Sequence, residues 1–214
     1  MRTSSTPALL TVTGSAVFVL AWLVLGAISP GYRLFDLVID PYSPIAQPIS
    51  GLGLGVTGPW MNAAFIICGA LISAGAVLAA RAAWGMGGLV RVGAVLIALS
   101  GVGMIIDGIF TLESVLLHLV GFLVAAPIPA VGLLLVGFGV RRSNRTLALV
   151  AIAGGLLSLT LFVVFMATFD PYGAGDNTGI SGLLQRSLVI VYLTAVSFTV
   201  AALGRDSTRR QPAV

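Results

Sequence analysis

Hydrophobic residues run along this chain in stretches of about 20 or more, and the polar residues are concentrated in the short segments between them. One such stretch, folded as an α-helix, is long enough to cross the hydrocarbon core of a lipid bilayer. The pattern predicts an all-α, polytopic membrane protein that forms a single domain over residues 1–214. Six transmembrane helices are expected, at about 8–29, 61–82, 89–110, 115–140, 146–169 and 180–203.

The first apolar stretch follows Arg2, as the apolar part of a secretion signal follows a positive charge. It is longer than the apolar part of such a signal, and we therefore expect it to be kept as a span. The longest connection, at about 30–60, is rich in Pro and Gly and contains short apolar pieces. It is interpreted either as a short interfacial or re-entrant segment or as a plain loop lying on the membrane.

The arginines are distributed unevenly between the two ends of these helices. Nine of them fall at one end: Arg2, Arg81, Arg91, Arg141, Arg142, Arg145, Arg205, Arg209 and Arg210. Only Arg33 and Arg186 fall at the other end. Because short loops rich in arginine stay in the cytoplasm, the count predicts that both chain termini are cytoplasmic. Six of the seven acidic residues then lie at or near the outer face.

A repeat links the first and last outer connections. Asp40-Pro41-Tyr42 precedes Ile49-Ser50-Gly51-Leu52, and Asp170-Pro171-Tyr172 precedes Ile180-Ser181-Gly182-Leu183. Both copies join an outward-running helix to an inward-running one. This repeat predicts three helical hairpins, of which the first and last are parallel copies related by an axis along the membrane normal.

The composition excludes several classes of protein. Only 8% of the residues are charged, whereas soluble domains carry about a quarter. The absence of Lys excludes Schiff-base chemistry and a phosphate-loop lysine. With Cys68 and His118 as the only residues of their types, we expect no cofactor and no bound metal. The arginines form no basic face with stacking aromatic residues, so no nucleic-acid partner is expected.

Three ionisable side chains fall inside predicted spans at similar depths below the outer face: Asp107, His118 and Arg186. Ionisable groups are rare in membrane spans and usually face a partner or a water-filled cavity. We therefore expect these three to cluster, with the carboxylate neutralising the guanidinium. The residues expected to line the same outer opening are Ser50, Gln185, Asp40, Asp170 and Ser181.

This cluster has two interpretations. In the functional one, His118 is a general acid or base oriented by Asp107, and Arg186 binds an anionic group such as a phosphate. In the structural one, the three residues clamp the third, fourth and sixth helices together. A divalent cation held by Asp107, Glu113 and His118 is a weaker alternative, because these residues lack the close spacing of a metal motif.

Ser50 and Ser181 both stand in an Ile-Ser-Gly context near a predicted helix start, where serine is an ordinary capping residue. A serine nucleophile needs a base within reach, and the only histidine is His118, so at most one of the two is catalytic. Pro127 and Pro129 interrupt the fourth predicted helix and indicate a kink.

A set of residues spread along the chain forms an arrangement found in a known family. It consists of Tyr42-Ser43-Pro44-Ile45-Ala46-Gln47-Pro48-Ile49-Ser50-Gly51-Leu52-Gly53, Asn62, Gly69, Gly108-Ile109-Phe110, His118 and Gln185-Arg186. Over about 40–200 the chain resembles the domain of unknown function 998 family of multi-pass prokaryotic membrane proteins. The resemblance implies a membrane fold and carries no established activity. The residues that recur in the family correspond here to Ser50, His118 and Arg186.

Three functions are compatible with these features, and whether the protein is an enzyme is left open. The first is a protein with an outward-facing polar pocket that binds or modifies a lipid or other anionic ligand. The second is a small transporter or permease, and the third is an accessory subunit bound to a membrane-protein partner. The bias towards Ala, Gly and Arg suggests a bacterial genome rich in GC, and hence the plasma membrane.

Overall fold

The computed structural model of the protein describes residues 5–169 and 177–209, with side chains up to Arg205. Its helices are α1 (Thr6–Ile28), α2 (Gly58–Ala82), α3 (Gly88–Ile109), α4 (Val115–Ala125), α5 (Pro127–Val140), α6 (Arg145–Thr168) and α7 (Ser181–Arg209). When α4 and α5 are taken as one segment, six helical segments are long and apolar enough to cross a membrane. The all-α fold with six spans is therefore confirmed. α2 begins at Gly58, somewhat earlier than expected.

The helices form a closed bundle in which each helix packs against its neighbours in sequence. α2 packs between α1 and α3, α3 contacts α4 and α5, and α6 packs between α5 and α7, which returns to α1. Because successive spans run in opposite directions, the connections alternate between two ends. The arginine-rich end holds Arg81, Arg91, Arg141, Arg142, Arg145 and Arg205. The other end holds residues 29–57 and is called the capped end.

Glycines allow the helices to approach closely where their backbones cross. A Cβ atom added to Gly69 of α2 would lie 2.6 Å from the carbonyl oxygen of Gly101 on α3. Beside this crossing the hydroxyl of Ser73 donates a hydrogen bond to the carbonyl oxygen of Ala98, 2.7 Å away. Small residues at helix crossings are typical of membrane bundles, where van der Waals packing and not the hydrophobic effect holds helices together.

The fourth span is broken at Ala126, between α4 and α5. Pro127 and Pro129 lack a backbone N–H, so the carbonyl groups four residues earlier lose their helical partners. The interruption expected from these prolines is therefore present. α4, on the near side of this interruption, packs mainly against α3.

Residues 29–57 fold into a compact cap over the bundle. Strands β1 (Tyr32–Leu34) and β2 (Leu37–Ile39) form an antiparallel hairpin. Two 3₁₀ turns follow, at Ile49–Gly53 and Gly55–Thr57, and the first of them is entirely buried. The cap therefore packs onto the helices and is not a plain loop lying on the membrane. The small sheet was not predicted.

Candidate functional site

Arg186 lies about one and a half turns into α7, and its side chain is directed into the cap. Its Nη1 atom donates hydrogen bonds to the carbonyl oxygens of Pro44 at 2.7 Å, Gln47 at 2.8 Å and Gly182 at 3.0 Å. Its Nη2 atom donates to the hydroxyl of Tyr42. The guanidinium thus binds the backbone of the cap through several charge-assisted hydrogen bonds.

The positive charge of Arg186 is buried, with only 6% of the residue exposed. Its guanidinium carbon lies 5.3 Å from the ring centroid of Trp22 on α1, within the range of a cation–π interaction. Within the described part of the chain it has no ion pair, so the predicted pairing with Asp107 is not formed. Its binding of an anionic group stays a prediction.

A chain of side-chain hydrogen bonds ties the cap to the start of α7. The hydroxyl of Tyr32 donates to Oε1 of Gln47 at 2.7 Å, and Nε2 of Gln47 donates to Oδ1 of Asn177 at 3.0 Å. Nδ2 of Asn177 donates to the carbonyl oxygen of Pro41 at 2.6 Å. Burial raises the pKa of the Tyr32 phenol, and the nearby Tyr42 phenol adds to the effect, so Tyr32 stays protonated as a donor.

The first turn of α7 also binds the cap directly. The hydroxyl of Ser181 donates to the carbonyl oxygen of Ala46 at 2.7 Å, and the backbone N–H of Leu183 donates to Ile45 at 2.9 Å. A Cβ atom on Gly182 would lie 2.2 Å from the carbonyl oxygen of Gln47. This close approach requires glycine at residue 182.

The two copies of the predicted repeat contact each other but differ in conformation. Ile49–Gly53 forms a 3₁₀ turn, whereas Ser181 begins the long helix α7. The Asp170-Pro171-Tyr172 part of the second copy lies outside the described residues. The hairpins that contain the two copies are neighbours, and their relation by an axis along the membrane normal stays a prediction.

His118 and Asp107 meet below the cap, where α3 and α4 pack together. Nδ1 of His118 lies 2.8 Å from the carbonyl oxygen of Phe110 and 3.6 Å from Oδ1 of Asp107. Both residues are buried. A Cβ atom on Gly121 would lie 2.1 Å from the same carboxylate oxygen. Glycine at this residue therefore leaves the space in which the Asp107 carboxylate packs against α4. The predicted juxtaposition of these two side chains is present.

A cavity of about 210 Å³ opens beside His118. Its walls include the apolar side chains of Leu112, Leu119, Phe122, Phe165, Met166 and Phe169. The polar residues that line it are Ser50 from the cap, His118 from α4 and Gln185 from α7. Ser50 and Gln185 were both predicted from the sequence to line an outer opening. They line this cavity together with His118, although all three residues are distant in the chain.

A smaller cavity of about 30 Å³ adjoins the first and extends towards the middle of the bundle. Ser50, His118 and Gln185 line both cavities and therefore stand at their junction. The smaller cavity reaches Asp107 and Tyr192. Phe122 also lines both cavities, so three polar side chains and one aromatic ring are found at the junction, whereas the larger cavity is apolar away from it.

The larger cavity lies between α4 and α6. α4 packs on α3, while α6 packs on α5 and α7, so the halves of α4 and α6 near the cap are not in close contact. Aromatic rings bridge part of this gap, with the Phe122 centroid 5.5 Å from those of Phe162 and Phe165. The cavity is therefore bounded on this side by movable side chains and not by a helix–helix contact.

The remaining candidate residues do not join this site. Asp40 is exposed after β2 and lines neither cavity. Asp170 lies outside the described residues. Glu113 is exposed and lines a separate groove with Arg33, so the group considered for a divalent cation is not assembled around His118. Ser181 and Arg186 bind the cap, as described above.

The chain is similar to one known protein family. The family described as protein of unknown function (DUF998) matches residues 34–203, which is more than half of the chain. The chain belongs to the DUF998 family. The resemblance read from the sequence is thereby confirmed, and the matched region contains every residue that lines the larger cavity of this DUF998 protein. No curated protein and no solved structure matches the chain.

Two parts of the site were not recognised in the sequence. Tyr42 was not predicted to belong to the site, yet its hydroxyl accepts a hydrogen bond from Arg186. Phe162, Phe165 and Phe169 recur along one face of α6, and this stripe was the available signal for an aromatic wall. In a span that is apolar on all sides, however, a Phe stripe does not distinguish a cavity from a lipid-facing surface.

Proposed function

We propose that this protein binds a membrane lipid by one acyl chain, which occupies the larger cavity while the polar part of the lipid contacts Ser50, His118 and Gln185. The observation that carries this proposal is an apolar cavity of about 210 Å³ with its polar residues at one junction. For scale, an engineered apolar cavity of about 150 Å³ accepts benzene. The larger cavity therefore has room for a segment of an acyl chain.

The route of entry also supports a lipid ligand. Two residues that line the cavity, Val115 on α4 and Met166 on α6, are also exposed on the surface of the bundle. We propose that an acyl chain enters between these helices from the bilayer, without passing through water. Lipid tails already occupy an apolar solvent, and burial of the tail therefore contributes packing and shape selection more than a hydrophobic driving force. Affinity then depends on the polar contacts at the junction.

Those contacts favour a hydrogen-bonding group, such as an ester or a hydroxyl. Arg186 lines neither cavity, and its Nη atoms bind the protein itself. The proposed polar contacts are consequently neutral, and a phosphate on the lipid would extend towards the cap surface. The cavities reach Ala126 and Tyr192, near the middle of their spans, which supports binding within one leaflet more than transport across the bilayer.

We propose that the protein lies in the plasma membrane of a bacterium, with both of its termini in the cytoplasm. Support comes from the arginine-rich end, where Arg81, Arg91 and the pair Arg141 and Arg142 are found, since such clusters stay in the cytoplasm. The capped end then faces outwards, and the acyl chain enters from the outer leaflet.

Binding is tested with the full chain in nanodiscs and a fluorescent single-chain phospholipid as the probe. Leu119→Trp fills the cavity from its wall, and we expect it to weaken probe binding at least tenfold. Leu116→Trp is the matched control, because Leu116 is 72% exposed on the same helix. Equal affinity of both variants and the wild type would exclude the cavity as the binding site.

A further inference from the structure

The two serines in Ile-Ser-Gly contexts differ in how their hydroxyl groups are used. Ser181 donates its hydroxyl proton to the carbonyl oxygen of Ala46, which occupies it structurally. Ser50 lies at the junction of the two cavities, and within residues 5–169 and 177–209 its hydroxyl has no hydrogen-bond partner. Ser50 is nevertheless only 5% exposed. The hydroxyl is therefore available to a group bound at the junction.

The hydrogen bond of His118 determines which ring nitrogen carries the proton of the neutral ring. A carbonyl oxygen only accepts hydrogen bonds, so the contact of 2.8 Å with Phe110 assigns the proton of the neutral ring to Nδ1. Nε2 then carries the lone pair. Because His118 lines both cavities beside Ser50, this lone pair is available to accept a proton from a group bound at the junction.

Asp107 is placed to support a charged imidazole. Its Oδ1 atom lies 3.6 Å from Nδ1 of His118, beyond hydrogen-bond distance but close enough for electrostatic attraction. The same oxygen is buried and has no hydrogen-bond partner among the described residues. A proton gained by His118 at Nε2 would therefore be stabilised by a carboxylate with no competing donor.

Gln185 supplies a donor at the same junction. Its Oε1 atom accepts a hydrogen bond from the backbone N–H of Ile49 at 2.6 Å, which fixes the orientation of the amide. Its Nε2 hydrogens have no partner within the described part of the chain. Side-chain amides of this kind stabilise the oxyanion formed when a nucleophile attacks a carbonyl group.

We propose that Ser50 is a nucleophile activated by His118, and that the protein removes the acyl group from an ester-linked lipid. This inference rests on the lipid-binding function proposed above. Ser50 Oγ attacks the ester carbonyl while its proton passes to Nε2 of His118, and Gln185 donates to the oxyanion. The C–O ester bond then breaks, and the departing alcohol takes the proton from Nε2. Water, deprotonated by His118, hydrolyses the acyl-serine to a carboxylic acid and free Ser50.

The test uses an alkyl fluorophosphonate, which forms a P–O bond with an activated serine and releases fluoride. The full chain in nanodiscs is treated with this reagent, and the adduct is located by intact mass and peptide mapping. We expect one adduct, on Ser50, and at least a tenfold slower reaction in Ser50→Ala and His118→Asn. The second variant keeps a donor near the position of Nδ1 and removes Nε2, so it separates a base from a structural histidine.

Ser158→Ala is the matched control, because Ser158 is a buried serine that lines neither cavity and has no hydrogen-bond partner among the described residues. We expect it to react at the wild-type rate. The fluorescent phospholipid is measured in parallel and should bind to the wild type and to Ser158→Ala with equal affinity.

The outcomes separate the two proposals. If the wild type binds the phospholipid but forms no adduct, or if Ser50→Ala or His118→Asn reacts as fast as the wild type, the nucleophile is excluded and lipid binding stands. If Ser50 reacts but the phospholipid does not bind, the nucleophile stands without the proposed lipid. If neither occurs, both proposals are overturned.

Discussion

Nη1 of Arg186 lies 2.7 Å from the carbonyl oxygen of Pro44, a contact that joins residues 142 positions apart in the chain. An arginine inside a span would be costly if it faced lipid. Here the cost is offset by backbone carbonyl groups that the cap directs towards it. The contact therefore stabilises both groups. The guanidinium is buried with hydrogen-bond acceptors, and the carbonyl groups of the irregular segment, which are not paired in a helix or sheet, receive a donor.

Removal of this guanidinium should detach the cap. We expect Arg186→Ala to lower the free energy of unfolding by about 3 kcal/mol or more, since a hydrogen bond to a charged group contributes about 1.5–3 kcal/mol. Thermal unfolding in detergent and proteolysis within residues 29–57 would measure the effect. Arg33→Ala, at an exposed residue of the cap, is the control and should unfold like the wild type. Unchanged stability of Arg186→Ala would contradict the proposed clamp.

The contact between Gly182 and the cap predicts a steric effect. In Gly182→Ala the new Cβ atom would lie 2.2 Å from the carbonyl oxygen of Gln47, so the cap or α7 must shift. We expect a loss of about 1–3 kcal/mol in unfolding free energy, as for overpacked cores. Gly85→Ala, where nothing lies within 4 Å of the added atom, should leave the melting temperature nearly unchanged. Equal melting temperatures for both variants would mean that the cap does not dock as described.

Buried phenols in the cap predict a loss of stability at alkaline pH. Burial raises the pKa of the Tyr32 phenol above the ordinary value of about 10. The unfolded phenol ionises near pH 10, so this stabilisation is fully present below about pH 10 and is lost as the pH rises towards the folded-state pKa. We expect the melting temperature to fall above about pH 10, and to fall less steeply in Tyr32→Phe. Identical slopes for the two proteins would exclude Tyr32 as the titrating group.

Gly121 provides a test of the His118 environment. The Cβ atom of Gly121→Ala would lie 2.1 Å from Oδ1 of Asp107, so the carboxylate must move away from α4 and from His118. If the nucleophile proposal holds, the reaction of Ser50 with the fluorophosphonate should slow about tenfold, as expected for loss of about 1.4 kcal/mol of transition-state stabilisation. Gly88→Ala, where nothing lies within 4 Å of the added atom, is the control. A wild-type rate in Gly121→Ala would show that Asp107 does not support His118.

The orientation of the chain is tested by labelling introduced cysteines. Cys68 is the only native cysteine, and Cys68→Ala provides the background. We expect Asp36→Cys, in the turn of the cap hairpin, to react with a membrane-impermeant maleimide in intact cells. Ser143→Cys, between α5 and α6, should react only after the membrane is permeabilised. The reverse pattern would place the capped end in the cytoplasm and the proposed lipid entry in the inner leaflet.

Local chemistry made part of the site predictable. Asp107 and His118 flank the short turn between α3 and α4, so their similar depths were sufficient to bring them together. Arg186 has a similar depth in α7, and the expectation of a carboxylate partner was reasonable for the same reason. Its actual partners are backbone carbonyl groups, and a sequence pattern gives no information on where the carbonyl groups of an irregular segment point.

The amino-acid sequence alone determined the number of spans, their boundaries to within a few residues and the end at which the arginines gather. These properties follow from the transfer of each segment between water and lipid, which depends on local composition. The tertiary structure decided that residues 29–57 fold as a cap, that Ser50 and Gln185 meet His118, and that α4 and α6 line a common cavity. These features depend on packing between distant segments, and in a uniformly apolar chain no periodic pattern records which faces meet.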